Sequence, residues 1–162
     1  MSDDFYLNLV DWSESNNLAV GLSSSVYIWS ASSSSVVKLH EYADTNDAPA
    51  SVCWSRKGGD YLATGTVAGT VQLWDTHSQK LIRTYEGHDG RVGALSWNNA
   101  NMLSSGSKDR TILTRDMRVK DDYISRIEAH KQEVCGVKWS FDDKYIASGG
   151  NDNKLKIWDA NQ

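Results

Sequence analysis

A histidine and an aspartate near the end of the chain are the first candidates for chemistry, because this pair can bind a metal, act as acid and base, or join a hydrogen-bonded chain. His130 lies nine residues before Trp139, and Asp152 lies six before Trp158. No Cys, Asp or His lies at metal-ligand spacing from His130 or from the earlier His88. The sequence has no nucleophile–base pair and no Gly-rich phosphate loop. The residues therefore predict no enzyme, no metal site and no cofactor.

Charge and cysteine content exclude further classes. The chain has 17 basic and 21 acidic side chains and a formal net charge of −4, which argues against a nucleic-acid partner because such modules usually carry a basic footprint. No run approaches the roughly 18 apolar residues of a membrane span, and the start, Met-Ser-Asp-Asp, lacks the features of a secretory signal. Cys53 and Cys135 are 82 residues apart, as expected in a reducing compartment. We expect a soluble intracellular protein with no membrane partner.

Tryptophan spacing indicates an internal repeat. All seven Trp fall in two series, in which successive members are 42, 43 and 42 residues apart and 45, 41 and 43 residues apart. The series are Trp12, Trp54, Trp97 and Trp139, and then Trp29, Trp74, Arg115 and Trp158. A third series, of glycine, has spacings of 44, 41 and 43 and consists of Gly21, Gly65, Gly106 and Gly149. Three markers with one period predict a repeat architecture.

Each unit predicts four short strands. Leu155 and Ile157 alternate with charged neighbours, a period of two that puts one face inward. Four strands per unit, with Gly-His near the start and Trp-Asp near the end, are typical of a WD-repeat β-propeller blade. We therefore predict an all-β WD-repeat propeller of about four blades over residues 1–162, the fourth lacking its last strand, as part of a seven-bladed ring. The predicted blades cover about residues 3–40, 46–86, 88–128 and 130–162.

Similarity to WD repeats implies a structural hydrogen-bonded chain in the fourth unit. Its members are His130, Ser148, Asp152 and Trp158. Such a chain would join the loop before the blade to the strands within it. The third unit keeps His88 and Asp109 but has Arg115 in the Trp position, which we interpret either as drift of the blade sequence or as an interaction residue.

The first two units depart further from the repeat. Asp3 and Thr45 take the His position, and Ser23 and Ala68 take the Asp position. We predict that these units lack the polar chain and keep only the apolar frame.

Five segments are more specific than the repeat. They are Asp3–Ser13, Arg91–Asn98, Leu103–Ser107, Glu133–Gly136 and Ala147–Asn153. In combination, and in the expected blades, they resemble the fizzy and fizzy-related proteins, the WD-repeat activators of the anaphase-promoting complex. The match covers nearly the whole chain, from the family's first blade into its fourth.

The resemblance implies a non-catalytic adaptor that binds degron peptides and activates a ubiquitin ligase in cell-cycle control. In the family a KEN-type degron binds the top face through two Asn, here Asn151 and Asn153, and an Asp, here Asp11. Amide side chains offer donors and acceptors to an extended peptide, and Asp11 can pair with a degron lysine. Asp152 is expected to serve the structural chain. The competing interpretation of Asn151 and Asn153 is turn formation, because Asn tolerates unusual backbone angles.

The family also has a destruction-box groove between its first and last blades. The acidic residue that receives the degron arginine there corresponds to Asp4. The implied partners are anaphase-promoting complex subunits and degron-bearing substrates and inhibitors, and the implied location is nucleus and cytoplasm.

Two alternatives stay open. The family is tethered to the ligase by a C-box and a terminal Ile-Arg, whereas this chain ends in Ala-Asn-Gln, so one alternative is a fragment that cannot itself activate the ligase. The other is a generic WD-repeat scaffold with unrelated protein partners.

Overall fold

The computed structural model describes residues 4–43, 46–56 and 58–160, in which fifteen strands form four antiparallel sheets. The strands are β1 (Val10–Trp12), β2 (Asn17–Leu22), β3 (Ser25–Ser30), β4 (Ser35–Glu41), β5 (Pro49–Trp54), β6 (Tyr61–Thr66), β7 (Val71–Asp75), β8 (Lys80–Tyr85), β9 (Val92–Trp97), β10 (Met102–Ser107), β11 (Thr111–Asp116), β12 (Ser125–Glu128), β13 (Val134–Trp139), β14 (Tyr145–Gly150) and β15 (Leu155–Asp159). Within these ranges no helix is long and apolar enough to cross a membrane.

Each sheet consists of strands that follow one another in the chain. The first three sheets have four strands each, β1–β4, β5–β8 and β9–β12, and the fourth has three, β13–β15. This arrangement confirms the predicted all-β repeat architecture, with three strands in the fourth sheet among the described residues. The predicted outer limits of the array, Asp3 and Gln162, and the predicted His-position residue Thr45 lie outside the described residues.

The first strands of the sheets lie side by side and run in the same direction. Asn8 forms a parallel bridge with Ser51. The Trp54 backbone N–H of the second sheet donates to Asp11 Oδ2 of the first at 2.7 Å. In the same way, the Trp139 backbone N–H of the fourth sheet donates to Ser96 Oγ of the third. These four inner strands therefore form the common wall to which the rest of each sheet is attached.

Apolar clusters fill the spaces between consecutive sheets. The cluster between the first and second sheets includes Val26, Val52 and Trp54, and that between the third and fourth includes Ile112 and Trp139. Replacing a buried Trp of this kind by Ala would cost roughly 3–5 kcal/mol. Three members of the first Trp series, Trp54, Trp97 and Trp139, therefore hold neighbouring sheets together, whereas Trp12 is exposed.

The last strand leaves exposed the apolar residues that were predicted to face inward. Leu155 and Ile157 are 76% and 61% exposed, whereas their equivalents in the second sheet, Val71 and Leu73, are 0% and 1% exposed. Val71 and Leu73 pack against Val92 of the next sheet, and no described residue covers the corresponding face of β15. The expectation that Leu155 and Ile157 point inward is therefore wrong for this chain, because their burial depends on a following sheet.

Candidate functional site

The structure brings His130, Ser148, Asp152 and Trp158 together in one hydrogen-bonded chain. Trp158 Nε1 donates to Ser148 Oγ at 2.9 Å, and Ser148 Oγ lies 2.8 Å from His130 Nε2. His130 Nδ1 lies 2.9 Å from Asp152 Oδ1. With a proton on Nδ1, every contact has one donor and one acceptor, from Trp158 through Ser148 and His130 to the carboxylate. The chain joins β15, β14 and the loop before β13.

The Asp152 carboxylate accepts hydrogen bonds from His130 and from two backbone N–H groups. The Lys131 backbone N–H donates to Oδ2 at 2.9 Å and the Lys154 backbone N–H to Oδ1 at 3.2 Å. These hydrogen bonds, the Lys131 one foremost, lower the pKa of Asp152 to about 2 against the opposing effect of burial. Asp152 is therefore a structural residue that fixes the turn around it, and it has no role as a base.

The third sheet repeats the arrangement with one exchange. His88 lies 2.8 Å from both Asp109 Oδ2 and Ser105 Oγ. At the Trp position Arg115 Nη1 donates to Ser105 Oγ at 2.5 Å. The guanidinium thus makes the hydrogen bond that the indole makes in the fourth sheet.

Arg115 is completely buried, with 0% of its surface exposed. Its Nε has no hydrogen-bond partner among the described residues, and its guanidinium carbon lies 5.6 Å from the Tyr85 ring centroid. Burial lowers the pKa of Arg115 to about 10. The interpretation of Arg115 as an interaction residue is wrong, because no partner can reach it.

The second sheet has a polar chain that the sequence did not predict. Trp74 Nε1 donates to Thr64 Oγ1 at 3.1 Å, and Tyr42 OH lies 3.3 Å from Thr64 Oγ1 and donates to Gln72 Oε1 at 2.6 Å. Tyr42 thus takes the role of the histidine. It lies three residues before the His position, so the spacing of the repeat gave no signal for it. The prediction that the second unit lacks polar stitching is wrong.

The turn between β14 and β15 presents two amides to solvent. Asn151 and Asn153 flank Asp152, both are exposed, and neither side-chain amide hydrogen-bonds to another described residue. Asn153 has a φ of 60°, in the left-handed region that Asn tolerates better than most residues. The third sheet has the same turn with Lys108 and Arg110 in these positions. A free amide pair is therefore particular to the fourth sheet.

Backbone and charge connect this turn to Asp4. The Asn151 N–H donates to the Glu133 carbonyl at 2.8 Å, and the Glu133 carboxylate pairs with Arg91. Arg91 pairs in turn with Asp4, with 2.6 Å between Nη1 and Oδ2. The pKa of Asp4 is lowered by the Tyr6 backbone N–H and by Arg91. Asp4 therefore lies near the third and fourth sheets, with its carboxylate already paired.

Asp11 lies apart from these residues. It is near the carboxyl end of β1, whereas Glu133, which holds Asn151, immediately precedes the amino end of β13. Because the inner strands run in the same direction, these are opposite ends of the inner wall. Asp11 lines a cleft of about 180 Å³ with Arg56 and Lys138, and its Oδ2 accepts the Trp54 N–H. The structure thus groups Asn151 and Asn153 with Asp4 but not with Asp11.

Neither cysteine is arranged for reactivity. Burial raises the pKa of the Cys53 thiol to about 12, and burial and Glu133 raise that of Cys135, so both are thiols rather than nucleophilic thiolates at neutral pH. Among the residues that the structure describes, no group of three His, Cys, Asp or Glu could hold a metal ion.

Two family models match the chain. The model described as Anaphase-promoting complex subunit 4 WD40 domain matches residues 10–101. The model described as WD domain, G-beta repeat matches residues 122–159.

Individual proteins are similar along nearly the whole chain. It is 54% identical over 158 residues to Protein FIZZY-RELATED 1 of Arabidopsis thaliana, covering 98% of this chain and 33% of that protein. It is 48% identical over 159 residues to Anaphase-promoting complex subunit cdc20 of Dictyostelium discoideum, covering 98% and 32%. A chain of a solved structure described as Crystal Structure of Mitotic Checkpoint Complex has a TM-score of 0.95 at 46% identity, covering 100% of this chain and 50% of that one. The predicted resemblance is confirmed, and the chain spans about one third of the length of the two relatives.

Proposed function

The chain belongs to the WD40-repeat family that the anaphase-promoting complex subunit 4 model describes, and on that premise we propose that it is a substrate-recognition adaptor and activator of the anaphase-promoting complex. In this role it binds degron peptides and carries out no catalysis of its own. Its partners are subunits of that ubiquitin ligase and degron-bearing substrates and inhibitors, and it acts in the nucleus and cytoplasm during cell-cycle control. The similarity to fizzy-related and cdc20 proteins over 98% of the chain supports this proposal.

The observation that carries the peptide-binding part of the proposal is the amide pair of the fourth sheet. The Asp152 carboxylate is held by three residues, His130, Lys131 and Lys154. Asn151 and Asn153 on either side of it are exposed, and their side-chain amides have no partner among the described residues. Each amide offers a donor and an acceptor, which is what the backbone and side chains of a short extended peptide require. We assign the KEN-type degron to this turn.

One carboxylate extends the proposed site, because Asp4 is assigned the arginine of a destruction box. Asp11, which the resemblance assigns to the degron lysine, lies in a separate cleft with Arg56 and Lys138, so its part in binding the same peptide stays a prediction. Because Asp11 is at the other end of the inner wall from Asn151, its contribution is separable from that of the turn. The Asp11→Asn variant tests it alone, with an isosteric side chain that still accepts the Trp54 N–H.

A peptide titration on the full-length protein tests the amide pair. A fluorescently labelled peptide containing Lys-Glu-Asn is titrated with the wild type, Asn151→Ala and Asn153→Gly. Glycine is the right substitution at Asn153 because it keeps the positive φ without strain. Loss of one or two hydrogen bonds to the peptide should weaken binding about tenfold in each variant.

Gln79→Gly is the matched control, since Gln79 is also exposed in a turn with positive φ, of 54°. It should bind the peptide like the wild type. Equal affinity in all four proteins would remove the assignment of the turn. If the wild type binds no degron peptide and the complete gene product retains no anaphase-promoting complex subunits in a pulldown, the chain is a generic WD-repeat scaffold.

A further inference from the structure

Arg91 is the centre of an ion cluster that joins three sheets. It immediately precedes β9, and its guanidinium contacts Glu133 twice, with Nε at 2.7 Å from Oε1 and Nη2 at 3.0 Å from Oε2. Its remaining nitrogen, Nη1, lies 2.6 Å from Asp4 Oδ2. A planar guanidinium can make such a two-pronged contact and a third one at the same time, which a lysine cannot.

The cluster is shielded from solvent more than the Arg126–Glu128 pair of the third sheet. The Arg91 and Glu133 side chains are 18% and 9% exposed, whereas those of Arg126 and Glu128 are 36% and 74% exposed. The Tyr6 ring covers the Arg91 guanidinium, with 4.7 Å between the guanidinium carbon and the ring centroid. Partly buried, charge-assisted contacts of this kind hold geometry far better than exposed ones.

The segment before β1 supplies Asp4, the second carboxylate of the cluster. The Asn8 backbone N–H donates to the Ala50 carbonyl at 3.0 Å, and Asn8 Nδ2 donates to the Gly93 carbonyl at 2.5 Å. A side chain at Gly93 would collide with Tyr6, since a Cβ there would lie 2.5 Å from the Tyr6 carbonyl oxygen. The segment from Asp4 to Asn8 is therefore fixed against the second and third sheets, with Asp4 directed at Arg91.

Glu133 connects Arg91 to Asn151, one residue of the amide pair. Its carboxylate is held by Arg91, and its carbonyl accepts the Asn151 N–H at 2.8 Å. Arg91 itself does not contact the turn. The connection therefore runs from Asp4 through Arg91 and Glu133 to Asn151.

We propose that Arg91 is a positioning residue for the degron-binding turn, which it orients through Glu133 while it holds Asp4 in place. The inference rests on the proposed function in assigning peptide binding to this turn. It extends that function by linking the residue assigned to the destruction box and the residues assigned to the KEN-type degron through one guanidinium. Loss of Arg91 leaves Glu133 without its partner and frees the backbone that carries Asn151.

Two measurements on the full-length protein test the inference. In Arg91→Ala, hydrogen exchange of the Asn151 amide should accelerate, because its acceptor at Glu133 is no longer held. The affinity for the labelled Lys-Glu-Asn peptide should fall about tenfold. Arg91→Lys should show a smaller effect of the same sign, and Arg126→Ala, which breaks an exposed pair of the same sheet, should show neither effect.

Thermal melting checks that each variant is folded. If Arg91→Ala does not fold, Arg91→Lys and Glu133→Gln are compared in its place.

A double-mutant cycle separates positioning from general stability. If Arg91 acts through the turn, Arg91→Ala should weaken peptide binding no further once Asn151 is already alanine. Additive losses of affinity, or unchanged Asn151 exchange in Arg91→Ala, would overturn the inference. Failure of the wild type to bind the peptide would instead overturn the proposed function, and the exchange experiment would still decide whether Arg91 orders the turn.

Discussion

Arg115 donates a hydrogen bond to Ser105 in the place where Trp158 donates one to Ser148 a blade later. The Nη1–Oγ distance is 2.5 Å in the third sheet and the Nε1–Oγ distance is 2.9 Å in the fourth. The same position in the second sheet has Trp74 donating to Thr64. A cation has thus replaced an indole without loss of the hydrogen bond, but at the cost of a buried charge with no carboxylate bound to it among the described residues.

Arg115→Trp should stabilise the chain. The indole can donate to Ser105 as in the neighbouring sheets, and the substitution removes both the buried charge and the unpartnered Nε. Replacing a buried ionic group by a well-packed apolar one gains on the order of 1 kcal/mol, measured as the free energy of unfolding in urea. Arg115→Ala is the control and should destabilise. A less stable Arg115→Trp would mean that the contacts of the guanidinium with Glu86 and Tyr85 outweigh its desolvation.

The glycine series should tolerate alanine only where no inner strand follows. A Cβ at Gly65 would lie 2.5 Å from the Val92 carbonyl oxygen, and one at Gly106 would lie 2.5 Å from Val134 Cγ1. At Gly149 a Cβ meets nothing within 4 Å. Overpacking of this kind costs about 1–3 kcal/mol, so Gly65→Ala and Gly106→Ala should lower the unfolding free energy and Gly149→Ala should not. Equal losses at all three positions would show that strand propensity, rather than the approach of the next sheet, requires glycine.

Stability should fall on mild acidification because of His88. Burial lowers the pKa of His88 below its ordinary 6.5, and the hydrogen bond to Asp109 only partly opposes this. A depressed folded-state pKa means that the unfolded chain binds the proton more readily. The stability due to neutral His88 is therefore complete above pH 6.5 and is lost as the pH falls through the folded-state pKa.

Chemical denaturation between about pH 7.5 and about pH 5 checks this dependence, since this interval includes the ordinary pKa of histidine and values below it. His88→Gln should be less stable at pH 7 and should show a shallower decline, since the buried titrating group is gone. His77→Gln, with a side chain that is 79% exposed, is the control and should follow the wild type. An identical slope in His88→Gln and wild type would contradict the prediction.

Tyr42→Phe should destabilise the contact between the first and second sheets. The hydroxyl donates to Gln72 at 2.6 Å and lies 3.3 Å from Thr64, and burial raises its pKa to about 12, so it stays protonated as a donor. Its loss leaves the partly buried Gln72 acceptor without that partner and should cost about 1 kcal/mol. Tyr145→Phe, at an exposed position of β14, is the control and should change the unfolding free energy by less than about 0.5 kcal/mol. No difference between the two variants would show that the second sheet does not depend on its polar chain.

The sequence by itself determined the repeat, the strand content and the family. The spacing of Trp54, Trp97 and Trp139 is a property of the chain, and it indicates sheets because the second, third and fourth units bury the same residue in the same place. The offsets of His130 and Asp152 from Trp139 and Trp158 likewise indicated residues that the structure brings into contact, because all of these positions lie within one unit or the loop before it.

Only the tertiary structure decided which residues meet between units. Tyr42 comes from the loop after the first sheet and completes the polar chain of the second, a role that depends on how the two sheets pack rather than on any spacing. Arg91 meets Asp4 and Glu133 from two other sheets, 87 and 42 residues away. Leu155 and Ile157 show the converse, since their alternation was correct but the side that is buried depends on a neighbouring sheet. The repeat pattern determines the strands of each blade. The contacts between blades determine whether the residues that face a neighbouring blade are buried or paired.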